Sequence, residues 1–368
     1  MIAVILIAAV VFLSYANGAN DNFKGVATLY GSNTASYRFS LLWTSVFTFL
    51  GASLSVILAA TLIKNFSGKG LLPEDVINTN SFVIATAMAA ASTVFVASKI
   101  GMPVSTTHAL IGGLVGAGLL AAGSQVHFDK LGKAFMMPLL LSPLVAGLLS
   151  FLLYSVLHRI RVRKEISKEL CVCYAKPLAP IANLNTIAIV SSPLIIAESQ
   201  SCEAIYAGKI IGIPIQATVK NAHFLSAAVV CFSRGLNDAP KIAGLLLLLH
   251  MSDMRLALLG IAVAMIIGGL LHSKKIAGTM SKNITSLNHG QAFSANFITG
   301  CLVLAASFFA LPVSTTHVSV GSIFGIGLKT GKNNKKVAMQ ILLSWVLTLP
   351  VAIVFSMLYY FIFSSLKL

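Results

Sequence analysis

Charged residues are scarce in this chain of 368 residues: they make up 10% of it, whereas 57% of the residues are hydrophobic. Soluble globular domains carry about 25% charged and about 45–50% apolar residues. A chain with so little charge could not cover a water-exposed surface, which excludes a soluble enzyme. Several apolar runs reach the roughly 20 residues that a helix needs to cross a bilayer. The composition therefore predicts an all-α polytopic membrane protein.

Acidic residues are scarcer still. The chain has 10 Asp and Glu against 26 Lys and Arg, so its formal net charge is +16. In a soluble protein this excess would indicate nucleic-acid binding. In a membrane protein the positive-inside rule already explains it, because basic residues accumulate in cytoplasmic loops. We therefore expect the lipid bilayer as a partner, and no nucleic acid. The five cysteines have no zinc-site spacing and are interpreted as free thiols.

Short motifs occur twice in the same order. Gly18-Ala19-Asn20-Asp21 recurs 217 residues later as Gly235-Leu236-Asn237-Asp238, and Pro103-Val104-Ser105-Thr106-Thr107-His108 recurs letter for letter 209 residues later, at 312–317. Segment 61–65 likewise matches 279–283. Internal similarity of this kind fixes the architecture. It predicts a first transmembrane repeat at 1–158, a polar basic linker at 159–209, and a second transmembrane repeat at 210–368.

Both repeats have the same order of apolar segments. The order is a helix interrupted at Gly-x-Asn-Asp (1–37 and 212–250), a second span (39–63 and 255–272), a helical hairpin that turns at Pro-Val-Ser-Thr-Thr (81–121 and 291–329), and a last span (134–158 and 337–363). A hairpin returns the chain to the side that it left. Each repeat then crosses an odd number of times, so the second repeat is inverted. Inverted repeats with broken helices that meet near the midplane are typical of secondary transporters.

The basic residues agree with this topology. If the linker is cytoplasmic, 16 Lys and Arg fall inside, 6 fall outside, and 4 lie near breaks or hairpin tips. By the positive-inside rule, this distribution predicts a multi-pass protein of the cell membrane with a cytoplasmic linker and both termini outside.

Asp21 and Asp238 are the two acidic residues inside apolar segments; the other eight lie in loops or in the linker. An ionisable group at membrane depth costs about 2.5–3.5 kcal/mol on insertion scales and usually marks a functional site. Lys24 and Lys241 follow at i+3, so a structural ion pair is the alternative interpretation. Each Asp is preceded by an Asn, and a broken helix frees backbone carbonyls that coordinate Na⁺. We therefore predict Na⁺ ligands at Asp21, Asp238, Asn20 and Asn237.

The second duplicated motif has the opposite polarity. Proline stops one helix, and Ser-Thr-Thr opens the next with side chains that favour N-caps. A helix N-terminus offers unpaired N–H groups and about half a positive charge, which suits an anion. Two such ends would surround a tetrahedral oxyanion. The residues predicted to bind phosphate are Ser105, Thr106, Thr107, Ser314, Thr315 and Thr316.

Residues that follow Ser-Thr-Thr have structural interpretations. His108 and His317, three residues into each helix, are more typical of packing or capping than of anion binding. The glycines at small-xxx-small spacing, Gly112/Gly116 and Gly321/Gly325, permit close helix packing in membranes.

A charge count connects the two motifs. Phosphate carries one or two negative charges, and the aspartates add two more. Unpaired buried charge costs far more than binding returns, so this count predicts that cations load together with the anion. Protons would not need the Asn carbonyls, which favours Na⁺. The sequence thus predicts symport with transported ions as the bound species and no resident cofactor.

At these motifs the sequence resembles the inorganic phosphate transporter family, which includes the type III sodium–phosphate cotransporters. The resemblance covers almost the whole chain except the linker. It implies phosphate import coupled to Na⁺ or H⁺, an inverted-repeat fold, and a homodimer. It also implies cation ligands at Asp21 and Asp238 and phosphate ligands at 105–107 and 314–316.

One position departs from the family pattern. Asn296 stands where many relatives have Glu, and we expect its amide oxygen to bind a cation. Two alternatives to Na⁺-coupled phosphate symport stay open at this point. One is H⁺ coupling or sulfate transport. The other, from a different class, is an intramembrane hydrolase with Ser105 as nucleophile, His108 as base and Asp21 as orienting group.

Overall fold

The computed structural model describes residues 2–164, 170–174, 194–198, 211–249 and 253–366. The helices are α1 (Ile2–Asp21), α2 (Ala27–Gly31), α3 (Tyr37–Leu58), α4 (Ala60–Asn65), α5 (Glu74–Ile77), α6 (Asn80–Ile100), α7 (Thr106–Ala122), α8 (Phe128–Lys130), α9 (Met137–Arg163), α10 (Ile215–Ala243), α11 (Met254–His272), α12 (Lys274–Gly278), α13 (His289–Phe308), α14 (Thr315–Thr330) and α15 (Lys335–Ser365). Short 3₁₀ segments lie at Asn22–Val26, Gly123–Gln125 and Gly244–Leu249, and π segments at Leu131–Met136 and Thr279–Asn283.

Eight helical segments within the described ranges are long and apolar enough to cross a membrane. The outward faces of the long helices carry exposed aliphatic side chains, such as Leu144 on α9 and Val346 on α15. Side chains of this kind are stable only against lipid or another apolar surface. The prediction of an all-α polytopic membrane protein is confirmed.

The predicted interruption of the first helix is correct in one repeat and wrong in the other. In the first repeat, α1 ends at Asp21 and a 3₁₀ turn follows at once. In the second repeat, α10 continues through Gly235-Leu236-Asn237-Asp238, and the 3₁₀ turn begins only at Gly244. Each 3₁₀ segment contains a glycine, Gly25 in the first repeat and Gly244 in the second, and glycine is about 1 kcal/mol less favourable than Ala in a helix. Gly25 follows Asp21 by four residues, whereas Ala239 to Ala243 contains no glycine.

The two hairpins form as predicted. A residue with a left-handed backbone conformation follows both helices: Gly101 (φ 82°) comes directly after α6, and Ala310 (φ 53°) comes two residues after the end of α13. The proline two residues later cannot continue a helix. α7 and α14 then begin directly after Ser105 and Ser314, so each Ser-Thr-Thr lies at a helix N-terminus.

Helices of one repeat pack against helices of the other repeat. The first helix of each repeat packs on the second helix of the other: α1 on α11, and α10 on α3. A Cβ on Gly18 would lie 1.8 Å from the Met265 carbonyl oxygen, and one on Gly235 would lie 2.2 Å from the Thr48 carbonyl oxygen. The glycine of each Gly-x-Asn-Asp motif therefore permits a backbone contact with the other repeat.

The second helix of each hairpin also packs on the last helix of the other repeat. α7 contacts α15, and α14 contacts α9. A Cβ on Gly116 would lie 2.4 Å from the Ile353 carbonyl oxygen, and one on Gly325 would lie 2.0 Å from the Gly147 carbonyl oxygen. The close packing predicted from the small-xxx-small spacing is confirmed, and these helix pairs are also exchanged between the repeats.

The predicted linker contains strands at its described residues. α9 extends to Arg163, so the first five linker residues are helical. Strand β1 (Leu170–Tyr174) pairs antiparallel with β2 (Leu194–Glu198) and with β3 (Ile211–Pro214), giving the sheet order β2-β1-β3. β3 lies at the start of the predicted second repeat, so the helix expected from 212 begins at Ile215 instead. The predictions for the rest of the linker fall on 165–169, 175–193 and 199–209, which lie outside the described residues.

Candidate functional site

The duplicated motifs converge at one buried location. Asp21 and Asp238 are 1% and 3% exposed, and the Ser-Thr-Thr residues of both repeats are 1–7% exposed. Thr316 Oγ1 donates to Asp21 Oδ1 at 3.3 Å, and the neighbouring Thr315 Oγ1 donates to Asp238 Oδ2 at 3.4 Å. Both aspartates therefore contact the N-terminus of α14, and the two repeats form a single site.

Lys24 lies in a shell of oxygen atoms built from both repeats. Its Nζ donates to Asn20 Oδ1 at 2.7 Å, to the Val104 carbonyl at 2.9 Å and to Thr316 Oγ1 at 2.6 Å, and it forms an ion pair with Asp21 Oδ1. The amide of Asn20 is held in turn, because its Nδ2 donates to Ser98 Oγ at 3.1 Å. The predicted cation ligands Asn20 and Asp21 thus surround an ammonium group that the chain itself supplies.

Lys241 has the equivalent shell in the second repeat. Its Nζ donates to Thr107 Oγ1 at 2.9 Å, to the Val313 carbonyl at 2.7 Å, to Asp238 Oδ1 at 3.4 Å and to Asn237 Oδ1. Each lysine therefore binds the hairpin of its own repeat through a valine carbonyl and that of the other repeat through a threonine hydroxyl. The lysine contacts are thus exchanged between the repeats in the same way as the helix pairs.

The two helix N-termini are already capped. Ser105 Oγ accepts from the His108 backbone N–H at 3.1 Å, and Ser314 Oγ accepts from the His317 backbone N–H at 3.2 Å. The first four N–H groups of a helix have no partner within the helix. The N–H groups of Thr106 and Thr107, and of their counterparts in α14, therefore remain available in the first turn. The serines orient the helix ends, and the threonine N–H groups are the donors placed to bind an anion.

The buried charges change the electrostatic argument made from the sequence. That argument counted the two carboxylates and left the ion-pair alternative open, whereas the structure pairs each carboxylate with a lysine. Arg234 adds a third buried cation and is 1% exposed. The site residues thus include three cationic side chains and two carboxylates. Charge alone therefore does not require other cations to accompany a monovalent anion.

His108 and His317 pack against each other across the two repeats. Their ring centroids are 4.7 Å apart, and the His317 ring lies 3.8 Å from the Trp345 ring. Trp345 Nε1 donates to the Pro103 carbonyl at 3.3 Å, which ties this aromatic group to the hairpin turn. The contacts fit the packing role predicted for the histidines.

Asn296 lies in a different polar cluster from the other predicted cation ligands. Its Nδ2 donates to Thr28 Oγ1 at 2.9 Å, and the same hydroxyl contacts His223 Nε2 at 3.0 Å. The structure brings together all of the predicted site residues on the duplicated motifs and places Asn296 apart from them.

Two site residues were missed by the sequence interpretation. Asn17 Nδ2 donates to Asp21 Oδ2 at 2.9 Å and to Thr106 Oγ1 at 3.0 Å. The 217-residue offset of the repeat places Arg234 at the equivalent position of the second half. Both residues stand four positions before a motif aspartate, and that helical spacing was the signal that could have identified them.

Comparisons with known proteins agree with one another. Residues 17–356 match the model of the phosphate transporter family. The chain is 27% identical to a putative phosphate permease of Thermococcus kodakarensis, over 94% of this chain and 93% of that protein. It is 27% identical to a probable low-affinity inorganic phosphate transporter of Rhizobium meliloti, over 97% and 95%. It is 24% identical to one from Bacillus subtilis, over 100% and 98%.

The fold also matches a solved structure. The sodium-dependent phosphate transporter superposes with a TM-score of 0.77 at 22% sequence identity, and the match covers 99% of both chains. At this identity the similarity establishes the fold, which is shared from end to end.

Proposed function

Because the chain belongs to the phosphate transporter family, we propose that it is a secondary active transporter that imports inorganic phosphate by alternating access. The relatives are transporters and permeases rather than enzymes, so the hydrolase alternative is excluded. The observation that carries the proposal is the meeting of two capped helix N-termini, one from each repeat, at a single buried site. An oxyanion between them would accept N–H donors from both repeats at once.

Alternating access is supported by the symmetry of the contacts. Lys24 and Lys241 each connect the two hairpins, and they do so through equivalent atoms. Two arrangements related by the pseudo-twofold would have similar contacts, so they can have similar free energies. We propose inverted repeats that move about this site, in the cell membrane, with the linker cytoplasmic and both termini outside. The homodimer implied by the family resemblance is part of the same proposal.

Na⁺ is the first candidate for the coupling ion. The ligand set around each lysine consists of oxygen atoms from a carboxylate, an amide, a backbone carbonyl and a hydroxyl. Carbonyl and carboxylate oxygens of this kind coordinate Na⁺ in transporters with broken helices. The solved structure of similar fold is itself named as sodium-dependent. Na⁺ would bind this set only after the lysine ammonium has left it.

H⁺ is the second candidate, and the lysines favour it. In the described structure an ammonium group occupies each of the two oxygen shells. A proton carried by a lysine supplies the positive charge that Na⁺ would otherwise supply, and it needs no free coordination site. Of the two ions, the geometry therefore fits H⁺ better.

Uptake of radiolabelled phosphate into proteoliposomes tests the function and the coupling ion together. With an inward H⁺ gradient and choline in place of Na⁺, we expect phosphate to accumulate, and excess sulfate should compete weakly. Accumulation that requires an inward Na⁺ gradient would identify Na⁺ as the coupling ion instead. An absence of phosphate uptake under both gradients would contradict the proposed function.

A variant pair connects uptake to the site. Asp238→Asn should abolish gradient-driven uptake, because it removes a buried carboxylate that holds Lys241. Asp253→Asn is the matched control: Asp253 is exposed and caps α11 through a bond to the Arg255 N–H at 2.8 Å. Unchanged uptake by Asp238→Asn would remove Asp238 from the mechanism.

A further inference from the structure

Arg234 is a buried cation without a hydrogen-bond partner. Its side chain is 1% exposed, and Nε, Nη1 and Nη2 have no acceptor among the described residues. Burying an unpaired charge costs several kcal/mol or more. A buried guanidinium with three unsatisfied nitrogens therefore indicates an acceptor that the chain alone does not provide.

The repeat shows which way this position faces. Asn17, the equivalent residue of the first repeat, donates both to the motif aspartate and to the first threonine of the hairpin helix. Both residues lie in regular helix, four positions before the aspartate. By this equivalence we expect Arg234 to face Asp238 and the N-terminus of α14. Asp238 and Lys24 are among the groups that interact electrostatically with Arg234.

Asp238, the carboxylate that interacts electrostatically with Arg234, is engaged by other residues. Asp238 accepts from Lys241 and from Thr315, both at 3.4 Å. In the first repeat the equivalent threonine, Thr106, lies closer to its aspartate, at 2.8 Å. The threonine–aspartate contact is thus longer in the second repeat than in the first. Arg234 is not among the ion pairs found in the described part of the chain.

The missing acceptor has a definite chemistry. Arginine offers up to five N–H donors and stays protonated, so its partner must be an acceptor and is best an anion. The nearby lysines exclude a cation. A planar guanidinium binds two oxygens of one phosphate group side by side, and the repeat equivalence predicts the first-turn N–H groups of α14 at the same end of the site.

We propose that Arg234 binds the transported phosphate directly, as the residue that contributes the net positive charge of the site. This inference rests on the proposed function. It places the anion nearer to the second repeat than to the first, because Asn17 offers no charge at the equivalent position. It also assigns tight binding to a single side chain that the duplicated motifs do not contain.

Arg234→Met tests the proposal because it removes the charge and keeps the approximate volume. If Arg234 is unpaired until an anion binds, then in phosphate-free buffer the Arg234→Met protein should be at least as stable as the unmodified chain. The reason is that the substitution removes an uncompensated buried charge. Inorganic phosphate should raise the melting temperature of the unmodified chain and not that of the variant. The KM for phosphate uptake should rise by about 10- to 100-fold, the range expected for losing a hydrogen bond to a charged group.

Two further variants separate binding from structure. Arg234→Lys keeps the charge but loses the paired donors, so its phosphate-induced shift and its KM should be intermediate. Arg255→Met, at an exposed position on α11, should behave like the unmodified chain. An Arg234→Met protein that keeps the full phosphate shift and the original KM, or that unfolds without phosphate, would overturn the proposal. If the unmodified chain neither shifts with phosphate nor transports it, the proposed function fails first.

Discussion

Replacing Lys24 by Met should destabilise the protein, and the stability of the variant should then depend on Na⁺. The substitution leaves the Asp21 carboxylate 1% exposed and without its ammonium partner. Removing one member of a buried ion pair costs about 3–5 kcal/mol, because the remaining charge is uncompensated. The oxygens of Asn20, Asp21, Val104 and Thr316 would then surround a free cation site. Thermal unfolding of the purified protein in detergent, in choline and in sodium buffers, measures both effects.

The magnitude of the Na⁺ effect follows from mass action. A ligand at about 100 times its Kd stabilises the folded state by about 2.7 kcal/mol, so saturating Na⁺ should recover most of the loss in Lys24→Met. It should change the unmodified chain little. The double variant Lys24→Met/Asp21→Asn should also recover stability, in this case without Na⁺, because neither charge is left.

A surface ion pair provides the control. Lys69 lies 3.8 Å from Glu74, and both side chains are mostly exposed. Such pairs contribute about 0–1 kcal/mol, so Lys69→Met should shift the unfolding temperature little and should show no Na⁺ effect. If Lys24→Met is as stable in choline as the unmodified chain, the assignment of Lys24 as the cation paired with Asp21 is refuted.

Two predictions concern the scaffold and are read out by thermal unfolding. Ala310→Gly should stabilise the protein by about 1 kcal/mol, because Ala310 has a left-handed backbone that favours glycine. Gly101→Ala should destabilise it for the same reason. Equal stability of both variants and the unmodified chain would contradict this prediction. Gly18→Ala should destabilise by about 1–3 kcal/mol, since the new Cβ would meet the Met265 carbonyl. Gly260→Ala, with no atom within 4 Å of its added Cβ, is the control and should lose no stability.

The sequence was sufficient to predict features that are local or duplicated. Hydropathy and proline placement identified the spans and the hairpins. The duplicated motifs predicted that Asp21 and Asp238 belong to one site, because two copies of the same fold place matching residues at matching positions. The break in the second repeat was mispredicted: the motif there is part of a continuous helix, and the 3₁₀ segment begins only at Gly244.

Contacts between the repeats could not be predicted in this way. Lys24 binds Thr316, which is 292 positions further along the chain, and no periodicity indicates which helices will pair. Without that contact the lysines were left as an alternative, and the carboxylates were counted as unpaired. Asn296 was placed with the cation ligands on resemblance alone, whereas helix pairing puts it beside Thr28 and His223.

The location of the bound anion is the most direct test of the account. A structure of the protein with phosphate, or with a heavier tetrahedral oxyanion that scatters anomalously, would show it. The account predicts one anion between the first turns of α7 and α14, in contact with Arg234, while Lys24 and Lys241 remain beside their aspartates. An anion found elsewhere, or no anion at this site at saturating phosphate, would contradict it.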